Sequence, residues 1–302
     1  MNRENYRVLS IQSHVVSGYV GNKSATFPLQ VLGFEVDAVN SVQFSNHTGY
    51  KHWKGQVLNA EDLDELFMGL KLNNLHHYTH LLTGYVRSLS FLQKVTETVK
   101  QLKEINPNLL YVCDPVMGDN GEMYVPSELL PEFRDNLTPL ADVVTPNQLE
   151  AELLTGMKIS NEEDALKAMQ ILHDRGIKTV IITSSDLASK DELLNLGSCI
   201  KDGKRTAVKL KISRIPANFL GTGDLYTALL SAWLTKSNFN LKEACEKTMS
   251  TLQDILKRTY KWAVEASGPN QSPTVAQLEL KLIQSKDDIE NPKTSCIAEI
   301  IS

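Results

Sequence analysis

Four residues in the C-terminal third of the chain, Gly221-Thr222-Gly223-Asp224, combine types that could do chemistry. Glycines let backbone approach a ligand closely. The run that follows, Leu225 to Leu230, reads as the start of a helix. A helix start points free N–H groups and a positive dipole end at one place, which makes an anion hole. Asp224 would stand beside it, where a carboxylate can remove a proton from an attacking hydroxyl. The plain alternative is that Thr222 caps the helix and Asp224 favours its dipole. A dinucleotide fingerprint is excluded, because Tyr226 stands where the third glycine would be.

Two further constellations offer oxygen ligands. In Thr145-Pro146-Asn147-Gln148-Leu149-Glu150, a helix starting near Asn147 puts Asn147 and Glu150 on one face. An amide and a carboxylate there can hold a hydrated Mg²⁺ through water. They can equally form a capping box, with Asn147 as the cap and Glu150 three residues on. In Asp114-Pro115-Val116-Met117-Gly118-Asp119, two acids on one loop could meet a cation or make a solvated turn. Other patterns fail. Gly18 to Ser24 lacks P-loop spacing. The chain has no HRD or DFG triplet, which removes a protein-kinase site. His76, His77 and His80 fall in a polar loop before a strand and make a poor metal cluster.

The elements that must position these residues alternate. Strands are predicted at Val8–Ile11, Val36–Val42, His80–Thr83, Leu109–Cys113, Val143–Thr145 and Thr179–Ile182. Helical spacing marks Leu63–Leu70, Leu92–Leu102 and Ala165–Leu172, the last ending at Gly176. This rhythm predicts one α/β domain across residues 1–302, a central mostly parallel sheet flanked by helices on both faces. Strands apolar on both sides fit that burial. Leu193–Ile200 and Ala207–Ile212, around Asp202-Gly203, read as a hairpin. Only helices are expected afterwards: Asp224–Leu234, Leu241 to about Val264, and Val275–Lys286. Ligands in such sheets bind beyond the carboxyl ends of the strands. There lie Ser13, Gly84-Tyr85, Asp114, Thr145-Pro146-Asn147 and Thr183-Ser184, a set suited to a polar ligand carrying phosphate or metal.

Of the 302 residues, 42% are hydrophobic and 22% charged, which is globular rather than disordered. The net charge of −5 argues against nucleic acid as the main partner. Nothing reaches the ~18 apolar residues of a membrane span. Met1 to Tyr6 lacks the layout of a signal peptide, so a cytoplasmic location is expected. Cys113, Cys199, Cys245 and Cys296 lie far apart and should be free thiols. Four sequons, at Asn22, Asn46, Asn136 and Asn270, should then carry no glycan.

Together these pieces resemble the ribokinase superfamily of small-molecule kinases, through the GTGD run and the upstream Asn-x-x-Glu segment. Within it the chain closely resembles the eukaryotic pyridoxal kinase family over nearly its whole length. The most specific stretches are 8–15, 27–34, Asn40 to Tyr50, Tyr111 to Val116, Thr145-Pro146-Asn147, Ile182 to Leu187 and the GTGD run. The resemblance implies transfer of the ATP γ-phosphoryl to the 5′-hydroxymethyl of pyridoxal, pyridoxine or pyridoxamine. It implies Asp224 as catalytic base and Gly221, Thr222 and Gly223 as anion hole. It implies Ser13, Val20, Phe44, His47, Thr48 and Tyr85 on the pyridine side. Asp114, Asn147, Glu150, Thr183, Ser184 and Thr222 would face the nucleotide and a divalent cation (Mg²⁺ or Zn²⁺). Asp119, Thr145 and Thr183 would hold a monovalent cation (K⁺ or Na⁺). A cytosolic homodimer is implied as well. Two segments are shorter than in vertebrate forms: Gly118–Tyr124, expected to cover the phosphates, and Ala188–Lys209, on the adenine side. Another kinase of the superfamily, for hydroxymethylpyrimidine or a sugar, is the alternative, and the Phe44–Tyr50 stretch discriminates against it.

Overall fold

In the computed structural model, which describes residues 6–301, strand β1 (Arg7–Val15) runs parallel to β2 (Glu35–Phe44) on one side and β4 (His80–Thr83) on the other. The polar stretch before the first strand therefore lies, up to Asn5, outside the described residues. Beyond β4 the parallel series continues through β5 (Leu110–Cys113), β8 (Val143–Val144) and β9 (Thr179–Ile182). Antiparallel strands extend both edges. At one edge lies β3 (Gly55–Val57); at the other lie β10 (Glu192–Lys201), β11 (Lys204–Ser213) and β12 (Glu299–Ile300). β10 and β11 turn at Asp202-Gly203, both at positive φ (51° and 73°), as a tight hairpin requires. A separate two-stranded ribbon, β6 (Gly118–Asp119) and β7 (Glu122–Met123), stands off the main sheet.

The short apolar strands serve two cores. Leu9, Ile11, Leu81, Tyr111, Val144, Val180 and Ile182 point into one cluster; Val8, Leu82, Val112, Val143 and Ile181 point into the other. Alternation along each strand sends neighbours to opposite faces. The first face is covered by α2 (Ala60–Leu72), α3 (Leu89–Ile105), α5 (Gln148–Thr155) and α6 (Glu162–Asp174). The second is covered by α1 (Asn22–Val31), α7 (Thr222–Lys236) and α8 (Leu241–Ser267). Short α4 (Leu129–Pro131) and α9 (Lys286–Glu290) complete the set. α7 is buried from Leu225 to Leu234 because it packs between α1 and α8 on this face of the sheet. No helix among the described residues is long and apolar enough to cross a membrane. All four cysteines are free.

Three expectations need correction. Val275–Lys286 is not one helix: it turns and bends, and becomes helical only at Ile283–Ser285 and α9. Leu280 and Leu282 are buried while the residues between and before them face elsewhere, so burial there has a period of two. The region after the hairpin is not all helical, since β12 pairs with β11. Conversely, α1 forms where no helix was predicted. Its N-cap is Gly21 with no side-chain cap, and Pro28 lies inside it, so the usual start signals are absent.

Candidate active site

The parallel strands all end on one edge of the sheet, and α1 and α7 begin there. Gly221 is the N-cap of α7 at φ 77°, with no side-chain cap; Thr222 does not take that role. A Cβ on Gly221 would sit 2.0 Å from the Tyr19 carbonyl oxygen. Only glycine permits both this dihedral and this approach. Ser24, in the first turn of α1, donates its hydroxyl to the Gly221 carbonyl at 3.1 Å. The two helix starts are thereby tied together, and their free N–H groups share one neighbourhood.

Asp224 is the third residue of α7, and one of its oxygens accepts the Gly21 N–H at 2.7 Å. A Cβ on Gly21 would lie 2.0 Å from the Ser13 carbonyl oxygen and 2.4 Å from Ser13 Oγ. Ser13, Gly21 and Asp224 thus meet at one point. The strand register accounts for Ser13: β1 shifts against β2 between Gln12 and Ser13. Asn22 holds that irregularity, its amide reaching the carbonyls of Gln12 (3.4 Å) and Val39 (2.8 Å).

Carboxylates crowd beneath the helix start. Asp114, 5% exposed, places Oδ2 3.7 Å from where a Gly223 Cβ would be. Burial first, then the charges of Glu150 and Asp224, push its carboxyl well above the ordinary value; Thr227, bonded to it, opposes the shift. Burial also raises Asp224, against the Gly21 N–H. Thr227 passes the network on to Thr145 through a 2.9 Å hydroxyl pair.

Asn147 and Glu150 form the capping box. Asn147 Oδ1 accepts the Glu150 N–H, and Glu150 Oε2 accepts the Asn147 N–H, each at 2.9 Å. The pair also grips the ribbon. Glu150 Oε1 accepts the N–H of Met117 (2.9 Å) and of Gly118 (3.4 Å), and Asn147 Nδ2 donates to the Gly118 carbonyl at 2.6 Å. Burial nonetheless pushes the Glu150 carboxyl up to about 7, against those three donors. The ribbon turns at Asn120-Gly121, at φ 51° and 83°, so the short Gly118–Tyr124 segment is a compact hairpin. Beyond it comes Tyr124, a residue that motif reading missed. Partial burial first, then the charges of Glu150, Asp114, Asp224 and Asp119, raise its phenol, although the side chain stays 57% exposed. Its place follows from the hairpin turn, and no spacing pattern announces it.

The expected monovalent-cation residues find separate partners. Thr145 bonds Thr227, Thr183 Oγ1 donates to the Pro146 carbonyl at 3.5 Å, and Asp119 accepts the Asn120 N–H at 2.8 Å. Ser184 lies beside this edge, its carbonyl accepting the Gln148 N–H at 3.1 Å. His76 and His77 stack, whereas His80 is buried between Thr79 and Thr235; among the described residues no three His, Cys, Asp or Glu converge as ligands.

On the opposite side, Val20 packs on a small apolar cluster of Val15, Val42 and Phe44, and Phe44 meets the Trp53 ring at 4.8 Å. Tyr85 is half-buried against the first core, and its carbonyl accepts the Ser41 hydroxyl at 3.0 Å. Thr48 is exposed, while His47 is buried and lies 3.2 Å from Glu279.

Comparison with known proteins adds the family and the fold. The family model described as phosphomethylpyrimidine kinase matches residues 64–270. That span leaves out the Phe44–Tyr50 stretch, which full-length relatives include. The pyridoxal kinases of Bos taurus and Homo sapiens are 56% and 54% identical, each alignment covering 99% of both chains. The Arabidopsis thaliana pyridoxal kinase is 53% identical over 97% of this chain and 94% of its own. Among solved structures, the Leishmania donovani pyridoxal kinase in complex with ADP and pyridoxamine superposes with a TM-score of 0.90 at 34% identity, covering 99% of this chain and all of its own. The Plasmodium falciparum enzyme with AMP-PNP and PL gives 0.84 at 30% identity, over 99% of both chains. A GTGD helix start facing a buried carboxylate, on a fold and sequence shared along the whole length with these enzymes, marks a small-molecule kinase: the chain belongs to the pyridoxal kinase family.

Proposed function

We propose that this chain transfers the γ-phosphoryl group of ATP to the 5′-hydroxymethyl of pyridoxal, pyridoxine and pyridoxamine. The observation that carries the reading is Asp224, held by the Gly21 N–H at the shared start of α1 and α7 and flanked by Ser13. Phosphoryl transfer is catalysed mainly by positioning and charge stabilisation. The acceptor alcohol lies between Ser13 and Asp224. Its oxygen forms the new bond to phosphorus as the bond to the β,γ-bridging oxygen breaks, and ADP leaves. Asp224 takes the alcohol proton late, since a free alcohol is far too weak an acid to ionise beforehand. The backbone N–H groups of Gly221 to Gly223 receive the charge of the moving group.

The set of two carboxyls and an amide, Asp114, Glu150 and Asn147, fits a hydrated divalent cation better than a directly chelated one, because backbone donors already engage Glu150. Bound there through water, Mg²⁺ would neutralise phosphate charge. The Asp119, Thr145 and Thr183 oxygens suit K⁺ or Na⁺ rather than a soft metal. Thr183 and Ser184 would face the nucleotide. Phe44, His47, Thr48, Val20 and Tyr85 would bound the pyridine ring. The proposal includes a cytoplasmic homodimer.

The family-model match favours hydroxymethylpyrimidine as the competing acceptor. A phosphorylation assay of the purified protein with pyridoxal, hydroxymethylpyrimidine and ribose side by side separates them. Highest kcat/KM on pyridoxal is expected; a preference for either other acceptor overturns the assignment.

A further inference from the structure

Glu279 belongs to the C-terminal segment that sequence periodicity placed in a helix, and no chemical role attaches to it from motif or fold. Its carboxylate is 14% exposed and joins two chain segments far from it in sequence. Oε2 accepts the Tyr19 N–H at 3.0 Å. Oε1 accepts the Tyr50 hydroxyl at 2.9 Å and lies 3.2 Å from His47 Nε2. Gly18 makes room for it: a Cβ there would fall 2.3 Å from Oε1.

The consequences reach Asp224. Tyr19 immediately precedes Val20-Gly21, the Tyr19 carbonyl closes on Gly221, and the Gly21 N–H holds Asp224. On the other arm, His47 Nδ1 accepts the Gly49 N–H at 3.2 Å. This network assigns the proton to Nε2, where it is donated to Glu279. The ring is thus fixed in one tautomer and packs 4.7 Å from Tyr50. Gly49 in turn abuts Leu220, the residue before the anion hole; a Cβ on it would lie 2.6 Å from Leu220 Cδ1. Hydrogen bonds to a shared carboxylate are strong and directional.

We propose that Glu279 is a positioning residue for the acceptor side of the site: it locks the 18–21 and 47–50 segments together, so that His47, Gly21 and Asp224 keep the geometry in which an alcohol is received. The inference rests on the acceptor being held between these segments, as in the function proposed above.

The test is Glu279→Gln, which keeps the shape but cannot accept from Tyr19, His47 and Tyr50 alike. KM for pyridoxal should rise about ten-fold, because buried donors are left unpaired. KM for ATP should stay within about two-fold, and Tm should fall by less than about 3 °C. Tyr50→Phe should act in the same direction but more weakly. The double variant should show less than the sum of the two effects, since both act through one carboxylate. Equal rises in both KM values, an unchanged pyridoxal KM, or strict additivity with Tyr50→Phe would each overturn the proposal. Wild-type protein in the same assay keeps the two claims apart. If it fails to phosphorylate pyridoxal, the functional reading fails. If it is active and Glu279→Gln is unchanged, only the positioning role falls.

Discussion

Asp224 stands between two backbone features that no other carboxylate among the described residues combines: the first turn of α7 and the Gly21 N–H. Burial raises its pKa, which makes it a better base once ionised, while the N–H keeps the charged form accessible. Asp224→Asn keeps the size and can still accept from Gly21, so fold and ATP binding should persist. Turnover should fall by ~10²–10⁴-fold, the usual cost of losing a general base. The check is kcat with pyridoxal together with Tm; a kcat within about three-fold of wild type removes Asp224 from the base role. Ser13 and Tyr124 are expected to show themselves differently. Neither offers a carboxylate, so their loss should appear in binding before it appears in proton transfer.

At the scale of elements, the crossing of α1 and α7 does what neither helix does alone. Gly221 is needed for its left-handed dihedral and also for its contact with the Tyr19 carbonyl. Gly156, the C-cap of α5 at φ 71°, needs only the dihedral, since nothing lies within 4 Å of a Cβ there. The two glycines form a matched pair of tests. Gly156→Ala should lower Tm through backbone strain of about 1 kcal/mol and leave kcat alone. Gly221→Ala adds a collision that moves Tyr19 to Gly21 away from Asp224. It should cost about 10²-fold or more in kcat, the scale of losing an oxyanion donor. Similar kcat values for both variants would show that the crossing does not matter to catalysis.

Across the whole molecule, the fold gathers carboxyls at one sheet edge and carries an electrostatic cost for doing so. Asp114, Glu150 and Asp224 all have raised values, and Glu150 reaches about 7. A carboxyl raised on folding contributes stability that is full below its unfolded value and is lost as pH rises through the folded one. For Glu150 that window runs from 4.5 up to about 7. The buried histidines act the other way and lower down: His80 is pushed to about 4 by burial, and His14 and His173 also fall below 6.5. Above that value the carboxyls dominate. Between about pH 6.5 and 8, Tm should therefore drop by about 2 °C. Glu150→Gln should begin lower, having lost bonds to Met117 and Gly118, yet show a flatter slope. Thermal melts across that range decide it: parallel slopes for the two proteins would mean that Glu150 does not carry the titration.

The chain's own pattern was enough to determine the parallel α/β sheet, the hairpin at Asp202-Gly203 and the helix that starts at the GTGD run, because these depend on local periodicity, turn residues and backbone freedom. It also located Ser13, Asp114, Thr145 and Thr183 correctly near strand ends, since alternating parallel strands must finish on one edge. It left two readings of Asn147 and Glu150 open, and the capping box that formed is a local device whose further grip on Met117 and Gly118 is not local. α1 escaped notice because its start has no side-chain cap, its stability coming instead from packing on the sheet and α7. Val275–Lys286 looked helical by spacing, but burial of Leu280 and Leu282 and the bonds of Glu279 keep it from forming one continuous helix. Tertiary structure alone decided the meeting of Gly21 with Asp224 and of Glu279 with Tyr19, His47 and Tyr50. Each joins residues whose sequence separation leaves no periodic trace, and they come together only when the sheet order brings loop ends to one edge.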